Sequence, residues 1–387
     1  MRVMFYLPVV TPWWFENIVV HLIRRLAQAH EVHVLIAPMW SGTGIGPRHF
    51  HLLEGLAYVH WHVLDGADHA LLRTDASDVD ELAEFAAFIN PDLTLCRSAD
   101  IKTPRRFPGE VRYIMEAGAP PFETGANRVI LTHTLFDYGE LPAFPDEQEQ
   151  WLDALADQLF AAKLPRWECA GRDELMQAAG LEEGRALVGL PLEYEHEENF
   201  FWQHLPYPDN ATLIREVAAQ LDDDTRLLVT NHPLNDLYGD NSAIEETIAA
   251  LEGKAALVPH EAVTGSATHA IARHADAVVI GNSKSWCLCA VAGTTVIRLS
   301  DFATGDWLNA YASIPDWLAD LEVGRPRQPD AIKARRWFAF HMVNRVFDPA
   351  DSDLLPDDII ERALNPVSPA RWEAALSRMI APLGEAA

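Results

Sequence analysis

The sequence predicts an α/β protein with two Rossmann-like domains and a helical C-terminal tail. Short apolar runs rich in Val, Ile and Leu alternate with amphipathic helical patterns along most of the 387 residues, as in parallel sheets with crossover helices. A second series of alternating strands and helices starts near residue 186, and the pattern after residue 301 is helical. We predict a first domain over residues 1–180, a second over 181–345, and C-terminal helices over 346–387 that pack back on the core.

The first domain begins with a strand at residues 3–7 rather than with a signal peptide, because this apolar stretch is short and runs into Pro8. Apolar residues at helical spacing follow between Ile18 and Leu26. Further strands are predicted at residues 31–36, 57–63, 93–96, 111–115 and 128–132. Helices are predicted at residues 78–88 and 147–161.

The second domain repeats the alternation. Strands are predicted at residues 186–192, 226–230, 256–258, 277–280 and 295–299. Helices are predicted at residues 211–221, 242–251 and 267–273, with a further helix opening near Ser285. The polar stretch 168–184 is the expected linker. After residue 301, helices are predicted at residues 307–321, 332–346 and 369–380. The Ala386-Ala387 ending leads us to expect a piece of a longer protein.

Composition limits the function classes. Thirty basic residues against 57 acidic ones give a net charge of −27, which argues against a nucleic-acid partner because phosphate backbones are repelled. A small anion can still be held at contact distance by a few local donors. Four irregularly spaced cysteines predict neither a disulfide framework nor a zinc site, and they fit a reducing cytoplasm. The sequence has no uninterrupted apolar run of 18 residues, so we expect no transmembrane segment.

The first candidate site follows the strand at 226–230. Ligands of open α/β sheets bind at the carboxyl ends of strands, and Pro233 cannot continue a central strand, so His232 should lie at that edge. Its imidazole could donate to a phosphate oxygen of a leaving group. The alternative is a histidine that ends a strand and hydrogen-bonds a neighbouring loop.

The second candidate site follows the strand at 277–280. Asn282, Ser283, Lys284 and Ser285 form a small polar turn that opens a helix, and free N–H groups at such a position suit a phosphate or carboxylate. The alternative is an ordinary capping turn with serine as N-cap. Cys287 and Cys289 lie two residues apart on that helix, on different faces, and are interpreted as packing residues.

Carboxylates at two other strand ends are candidate catalytic groups. Glu116 follows the strand at 111–115, where it could accept the proton of an acceptor hydroxyl; the alternative is an ordinary acidic loop residue. Glu193, Glu195 and Glu197 alternate around His196 after the strand at 186–192. Alternating positions of an extended segment face opposite sides, so these residues do not converge on one ion. We predict no metal site here, and none elsewhere in the chain.

Together these residues resemble the retaining β-Kdo transferases of bacterial capsule and O-antigen synthesis. These enzymes move 3-deoxy-manno-octulosonic acid (Kdo) from CMP-Kdo and share a His-Pro motif with sialyltransferases. The resemblance covers about residues 116–300. It includes Leu190-Pro191-Leu192-Glu193-Tyr194-Glu195 and Pro206-Tyr207, together with the His-Pro pair and the serine turn.

The resemblance implies a GT-B-like architecture, in which two Rossmann-like domains face a cleft. It also implies a CMP-Kdo donor on the second domain, with its phosphate near the His232-Pro233 pair and residues 282–285, and a polysaccharide or glycolipid acceptor against the first domain. No metal and no further cofactor are demanded. The expected location is the cytoplasm, at the inner face of the inner membrane, with peripheral association through other domains or subunits.

The resemblance further implies a carboxylate nucleophile that forms a covalent glycosyl-enzyme. The expected position beside the His-Pro pair is occupied by Asn231, so Asn231→Asp is expected to raise transfer unless Asp236, Glu193 or Glu116 supplies the carboxylate. Two alternatives remain open: a sugar-nucleotide epimerase on the same architecture, and a non-catalytic polysaccharide-binding subunit.

Overall fold

The computed structural model confirms the α/β prediction, with two parallel-sheet units. It describes residues 1–36, 44–63, 79–164, 168–182, 184–197, 199–300 and 302–380. The first unit comprises the described residues of 1–118, 124–136 and 342–372. The second comprises those of 119–123, 137–341 and 373–380.

The first unit contains a six-stranded sheet in the order β3-β2-β1-β4-β5-β6. Its strands are β1 (Arg2–Leu7), β2 (Glu31–Ile36), β3 (Val59–Val63), β4 (Leu93–Cys96), β5 (Glu110–Glu116) and β6 (Val129–Thr132). All pairs are parallel except β5 with β6, which is antiparallel. Because β5 and β6 are joined without a crossover helix, the chain reverses between them, which the alternation of elements does not predict.

The helices of the first unit cover the sheet. A helix starts at Pro12–Trp14, passes through a π-helical turn at Phe15–Val19 and ends as Val20–Leu26, with Leu22 and Ile23 fully buried. The other α-helices of this unit are Pro47–Phe50, Val79–Ile89 and Pro356–Leu364. Ile359 and Ala363 of the last helix join the same apolar core as Val32 and Leu93.

The second unit contains a five-stranded parallel sheet in the order β11-β10-β7-β8-β9. Its strands are β7 (Ala186–Pro191), β8 (Thr225–Thr230), β9 (Ala255–Leu257), β10 (Ala277–Ile280) and β11 (Thr295–Arg298). Its helices are Asp146–Lys163, Arg172–Ala179, Asn210–Gln220, Pro233–Tyr238, Ser242–Ala250, Ala267–His274, Trp286–Ala292, Ile314–Glu322 and Ala331–Phe340, while Trp372–Ile380 begins at the end of the first unit. All five strands end at one edge of the sheet, so the loops after β7, β8, β10 and β11 lie there together.

The predicted boundary at residue 180 differs from the observed packing. Helix Asp146–Lys163 packs on helix Ala331–Phe340 of the second unit, where both Arg336 Nε and Nη2 donate to the Asp153 carboxylate at 2.8 Å. The chain therefore changes unit at residue 137. Phe347 and Leu354 pack in the core of the first unit, so much of the predicted tail belongs there.

Two further predictions of local structure are wrong. The expected linker at 168–184 contains helix Arg172–Ala179, which buries Leu175 and Met176 and ends at Gly180 with φ 64°. The helix predicted over 307–321 is interrupted between Leu308 and Ile314. Tyr311 pairs with β11 instead, since its N–H donates to Val296 O at 2.9 Å and its carbonyl accepts from Arg298 N–H at 2.8 Å.

Within the described part of the chain, no helix combines the length and apolar character needed to cross a bilayer.

Candidate functional site

His232 lies at the carboxyl edge of the second sheet, as the sequence predicts. It is the N-cap of helix Pro233–Tyr238, and its Nδ1 accepts the Leu234 N–H at 3.2 Å. A neutral imidazole with Nδ1 as acceptor carries its proton on Nε2. Burial, followed by the nearby His260, lowers the pKa of His232 against the opposing effect of Asp236. The ring is therefore a neutral hydrogen-bond donor at pH 7.

Asn231 is held in a dense hydrogen-bond network. Its Nδ2 donates to Asp236 Oδ1 at 2.5 Å and to Asn241 Oδ1 at 3.0 Å. Its Oδ1 accepts from His232 N–H and from Asn235 Nδ2, both at 2.9 Å. Both donors and both acceptor positions of the amide are thereby used. These four hydrogen bonds give Asn231 a structural role in the loop, and the assignment of residue 231 as the nucleophile position stays a prediction.

Asn235, which the sequence analysis did not single out, connects this network to the loop after β7. Its Nδ2 also donates to Glu193 O at 2.9 Å, and its Oδ1 accepts the Glu195 N–H at 2.8 Å. Asn210 Nδ2 donates to the same Glu193 carbonyl at 3.0 Å. Two buried amides thus fix the main chain of Glu193.

The turn after β10 does not present all its N–H groups to a ligand. The N–H groups of Asn282 and Ser283 donate to Glu193 Oε1 at 2.7 and 2.9 Å. Ser283 Oγ and Ser285 Oγ lie 2.8 Å apart. The helix that follows, Trp286–Ala292, has only seven residues and Ser285 as N-cap. The predicted anion-binding turn therefore already binds the Glu193 carboxyl group. One serine hydroxyl proton is used in the bond between the two Oγ atoms, which leaves the other for a ligand.

Glu193 has an unusual environment for a carboxylate. Burial of the carboxyl group raises its pKa from 4.5 to about 7, although the two N–H donors and the charge of Arg298 act in the opposite direction. Its Oε2 receives no hydrogen bond from the described residues. A carboxyl group with a pKa near 7 exchanges protons readily at neutral pH, which is typical of catalytic groups.

Arg298, which the sequence analysis missed, ends β11, and its charge opposes the effect of burial on the pKa of Glu193. Its side chain is buried, its guanidinium lies 3.7 Å from the centre of the Tyr138 ring, and its Nη2 donates to Phe302 O at 2.9 Å. Its Nε and Nη1 find no acceptor within the part of the chain that the structure describes. Burial lowers its pKa. Unpaired buried donors are costly, so this arginine is suited to bind an anion.

Tyr138 completes the cluster, since its hydroxyl donates to Asn282 Oδ1 at 3.1 Å. The sequence offered one signal for Arg298: a charged residue closes the otherwise apolar strand Thr295-Val296-Ile297. Neither Tyr138 nor Asn235 carries a comparable signal. Their roles come from contacts across 144 and 42 positions of sequence.

Glu116 is the last residue of β5, as predicted, and its carboxylate is paired. Arg97 Nη2 donates to Glu116 Oε1 at 2.8 Å, and the Arg97 guanidinium lies 3.8 Å from the centre of the Trp14 ring. The Arg97 side chain is 9% exposed and that of Glu116 is 40% exposed. The arginine thus fixes the position of a carboxylate that reaches solvent.

Two predicted packing residues are buried, namely Cys287 and Cys289, and both are free thiols.

Around His232, the centre of the Tyr194 ring lies 5.6 Å from that of the histidine. The same tyrosine ring stacks on His196, with a centroid distance of 5.4 Å. Asn235 and Asn241 also line a cavity of about 410 Å³ together with Glu195, Asp209 and Arg215. Polar and aromatic groups thus surround the ends of β7 and β8.

No protein-family model and no curated protein matches the chain. Among solved structures, it is similar to the β-Kdo 2,7 transferase of Thermosulfurimonas dismutans KpsC, with 12% identity, 95% of this chain and 99% of that chain covered, and a TM-score of 0.47. The β-Kdo 2,4 transferase of the same KpsC shows 12% identity, 87% and 89% coverage and a TM-score of 0.41. The UDP-GlcNAc 2-epimerase of Neisseria meningitidis, bound to UDP-GlcNAc, shows 11% identity, 93% and 99% coverage and a TM-score of 0.29.

Replacing Asn231 with aspartate is expected to destabilise the protein. The new carboxylate would lose two donated hydrogen bonds and stand against Asp236, at a cost on the order of 1–3 kcal/mol at neutral pH. Urea unfolding should show this loss, and it should shrink below about pH 4, where carboxylates become protonated. Asn17→Asp is the control, because the Asn17 amide donates to a main-chain carbonyl, Trp13 O. Wild-type stability combined with faster transfer would restore residue 231 as the nucleophile position.

Replacing Glu193 with glutamine should change how stability depends on pH. A carboxyl group whose pKa is higher in the folded state stabilises the fold below its unfolded pKa, and this contribution is lost as pH rises. The relevant interval runs from 4.5 to about 7. Over it, the free energy of unfolding of the wild type should fall relative to that of Glu193→Gln, as measured by urea titration at several pH values.

The matched control for this pH dependence is Glu195→Gln, which removes a charge from the same loop. Glu195 Oε2 accepts the Asn210 N–H at 2.8 Å. If the free energies of unfolding of Glu193→Gln and Glu195→Gln change in the same way over this pH interval, the raised pKa of Glu193 is wrong.

Proposed function

We propose that the protein is a glycosyltransferase that moves Kdo from CMP-Kdo to a bacterial surface polysaccharide, with retention of configuration. The observation that carries this proposal is the cluster at the carboxyl edge of the second sheet. Two buried nitrogens of Arg298 have no acceptor there among the described residues, and the charge of Arg298 acts on Glu193. The family resemblance of the sequence supplies the sugar and the nucleotide. The epimerase and the polysaccharide-binding subunit are the alternatives that the experiments below distinguish.

The donor phosphate binds, in this proposal, to side chains rather than to the main chain of the 282–285 turn. The N–H groups of Asn282 and Ser283 are engaged by Glu193. Ser283 Oγ and Ser285 Oγ follow β10, and Arg298, whose Nε and Nη1 have no acceptor among the described residues, ends β11. The backbones of these neighbouring strands are about 4.8 Å apart. These groups form a donor set for an oxyanion.

His232 follows β8, and the loop bearing Glu193 follows β7, between β8 and β10. The order of the strands therefore places Glu193 between the serine turn and His232. The neutral imidazole donates from Nε2 to the departing phosphate. Its lowered pKa favours the neutral ring, and the Leu234 N–H on Nδ1 selects the tautomer with its proton on Nε2. Pro233 fixes the start of the helix that His232 caps.

Retention requires two displacements and a carboxylate that attacks the anomeric carbon first. Since the amide of Asn231 is engaged, we assign this role to Glu193, whose Oε2 is free of hydrogen bonds from the described residues. A pKa of about 7 leaves a fraction of the molecules with this group ionised at pH 7. We assign to Glu116, whose carboxylate Arg97 positions, the role of accepting the proton of the acceptor hydroxyl.

The donor test compares nucleotides. CMP and CMP-Kdo, at concentrations well above their dissociation constants, should raise the melting temperature, and UDP-sugars should not. Stabilisation by UDP-sugars alone would favour the epimerase, and stabilisation by no nucleotide would favour the binding subunit. Intact-mass spectrometry with CMP-Kdo alone should detect protein heavier by one Kdo, and Glu193→Gln should abolish this adduct. An adduct that persists in Glu193→Gln would move the nucleophile to Asp236 or Glu116.

The arginine test compares Arg298→Met with Arg327→Met. Both guanidiniums lie 3.7 Å from the centre of a tyrosine ring, that of Tyr138 or of Tyr311. The Arg327 side chain is 48% exposed, so only the first change removes buried unpaired donors. Stabilisation by CMP-Kdo should be lost in Arg298→Met and kept in Arg327→Met. Equal stabilisation in both variants would remove Arg298 from the donor site.

The histidine test uses two replacements that differ only in their effect on the fold. His232→Asn keeps a side-chain acceptor for the Leu234 N–H, whereas His232→Ala loses this cap at a cost of about 1 kcal/mol. Both remove the Nε2 donor, so both should lower CMP release from CMP-Kdo on the order of 10²-fold. If only the alanine variant loses activity, capping explains the effect and His232 has no role in the chemistry.

A further inference from the structure

Three histidines and a glutamate meet on the first sheet, far along the chain from the candidate site. Glu31 and His33 lie on β2, and His60 and His62 lie on the edge strand β3. The parallel register pairs His33 with His60 and Leu35 with His62. Because Val32 and Val34 belong to the apolar core, Glu31 and His33 face the other side of the sheet, together with the two histidines of β3.

The potential ligand atoms are already close together. His33 Nε2 lies 3.0 Å and His60 Nε2 lies 3.9 Å from Glu31 Oε1. The three ligand atoms lie within 4.8 Å of one another. In a tetrahedral zinc site with bonds of about 2.1 Å, ligand atoms are about 3.4 Å apart. Small side-chain rotations would therefore bring all three onto one ion.

Outer contacts orient two of these three groups. His62 Nε2 lies 3.0 Å from His33 Nδ1, and the two ring planes are 5° from parallel. When His33 binds through Nε2, its Nδ1 carries the proton and donates to His62. Arg2 Nε donates to the second oxygen of Glu31 at 3.2 Å. Hydrogen-bonded outer partners of this kind are characteristic of zinc ligands, and they select the tautomer that binds.

The cluster is open on one side. The side chain of His33 is 12% exposed, while those of Glu31 and His60 are 39% and 47% exposed. Three protein ligands with solvent access leave the fourth position of a tetrahedral ion to water. An imidazole and carboxylate donor set suits zinc or a similar divalent transition metal, and not magnesium, which prefers an octahedral set of oxygens.

We propose that Glu31, His33 and His60 bind one zinc ion, with His62 as a positioning residue. The ion links β2 to the edge strand β3. This revises the expectation of no metal site, which considered only cysteine sets and ligands close in sequence. Here the parallel register joins positions 33 and 60, which no spacing rule predicts.

The experiment is a calorimetric titration of the full chain, freed of metal by a chelator, with zinc chloride. One equivalent should bind tightly, and magnesium should not compete. Cobalt in place of zinc should give the visible absorption of a four-coordinate ion. His33→Ala and His60→Ala should each lower zinc affinity about 100-fold, and His62→Phe about 10-fold or more, as for other outer partners.

The matched control is His51→Ala. His51 Nδ1 lies 3.3 Å from Glu54 Oε2, so it forms a histidine–glutamate pair without a third ligand among the described residues. Its removal should leave the tight equivalent unchanged. Melting temperatures measured in the presence of chelator show whether each variant folds. If His33→Ala does not fold, the zinc affinities of His60→Ala and Glu31→Gln test the proposal instead. No zinc binding by the wild type, or undiminished binding in these variants, overturns the proposal.

Discussion

The hydrogen bonds from Asn282 and Ser283 to Glu193 organise the carboxyl edge of the second sheet. They join the loops after β7 and β10, and they bring an acidic group to the donors where a ligand anion was expected. The contact leaves little room beside position 281, which is a glycine. A Cβ there would lie 2.8 Å from Glu193 Oε1 and 2.7 Å from Leu205 Cδ2. Burial of this carboxyl group outweighs the two hydrogen bonds and raises its pKa to about 7.

In the loop after β8, polar side chains hydrogen-bond mainly to one another. Asn231, Asn235, Asp236 and Asn241 satisfy one another, and Asn235 continues the network to the main chain of Glu193. A polar residue at a strand end is thus a ligand candidate only when its hydrogen-bonding capacity is unused. Within the described part of the chain, Nε and Nη1 of Arg298 and Nε2 of His232 have no partner, whereas the side chain of Asn231 is fully hydrogen-bonded. The two loops share Glu193, so a change in either affects the same carboxyl group.

The sequence predicted most of the fold and part of the site. Hydrophobic periodicity depends on local burial, and it located the strands of both sheets to within about two residues, including β2, β4 and β10 at their observed bounds. It failed where long-range pairing overrides local pattern, as at Tyr311, whose bridge to β11 interrupts a helix-like stretch. The strand-end rule placed His232, Glu116 and the 282–285 turn correctly at the ends of their strands. It could not show that Arg97 pairs with Glu116 or that Glu193 binds the turn.

Register explains why both sheets contain groupings that spacing in the sequence does not reveal. In a parallel sheet, the neighbour of a residue is set by where each strand begins, and crossover connections separate the two by dozens of positions. His33 and His60 meet in this way on β2 and β3, and Glu193 and Asn282 meet after β7 and β10. The two proposals above accordingly place an anion near Arg298 and a cation at Glu31 in a molecule of net charge −27. At contact distance, the few groups that register brings together determine what binds, while the summed surface charge acts mainly on approach.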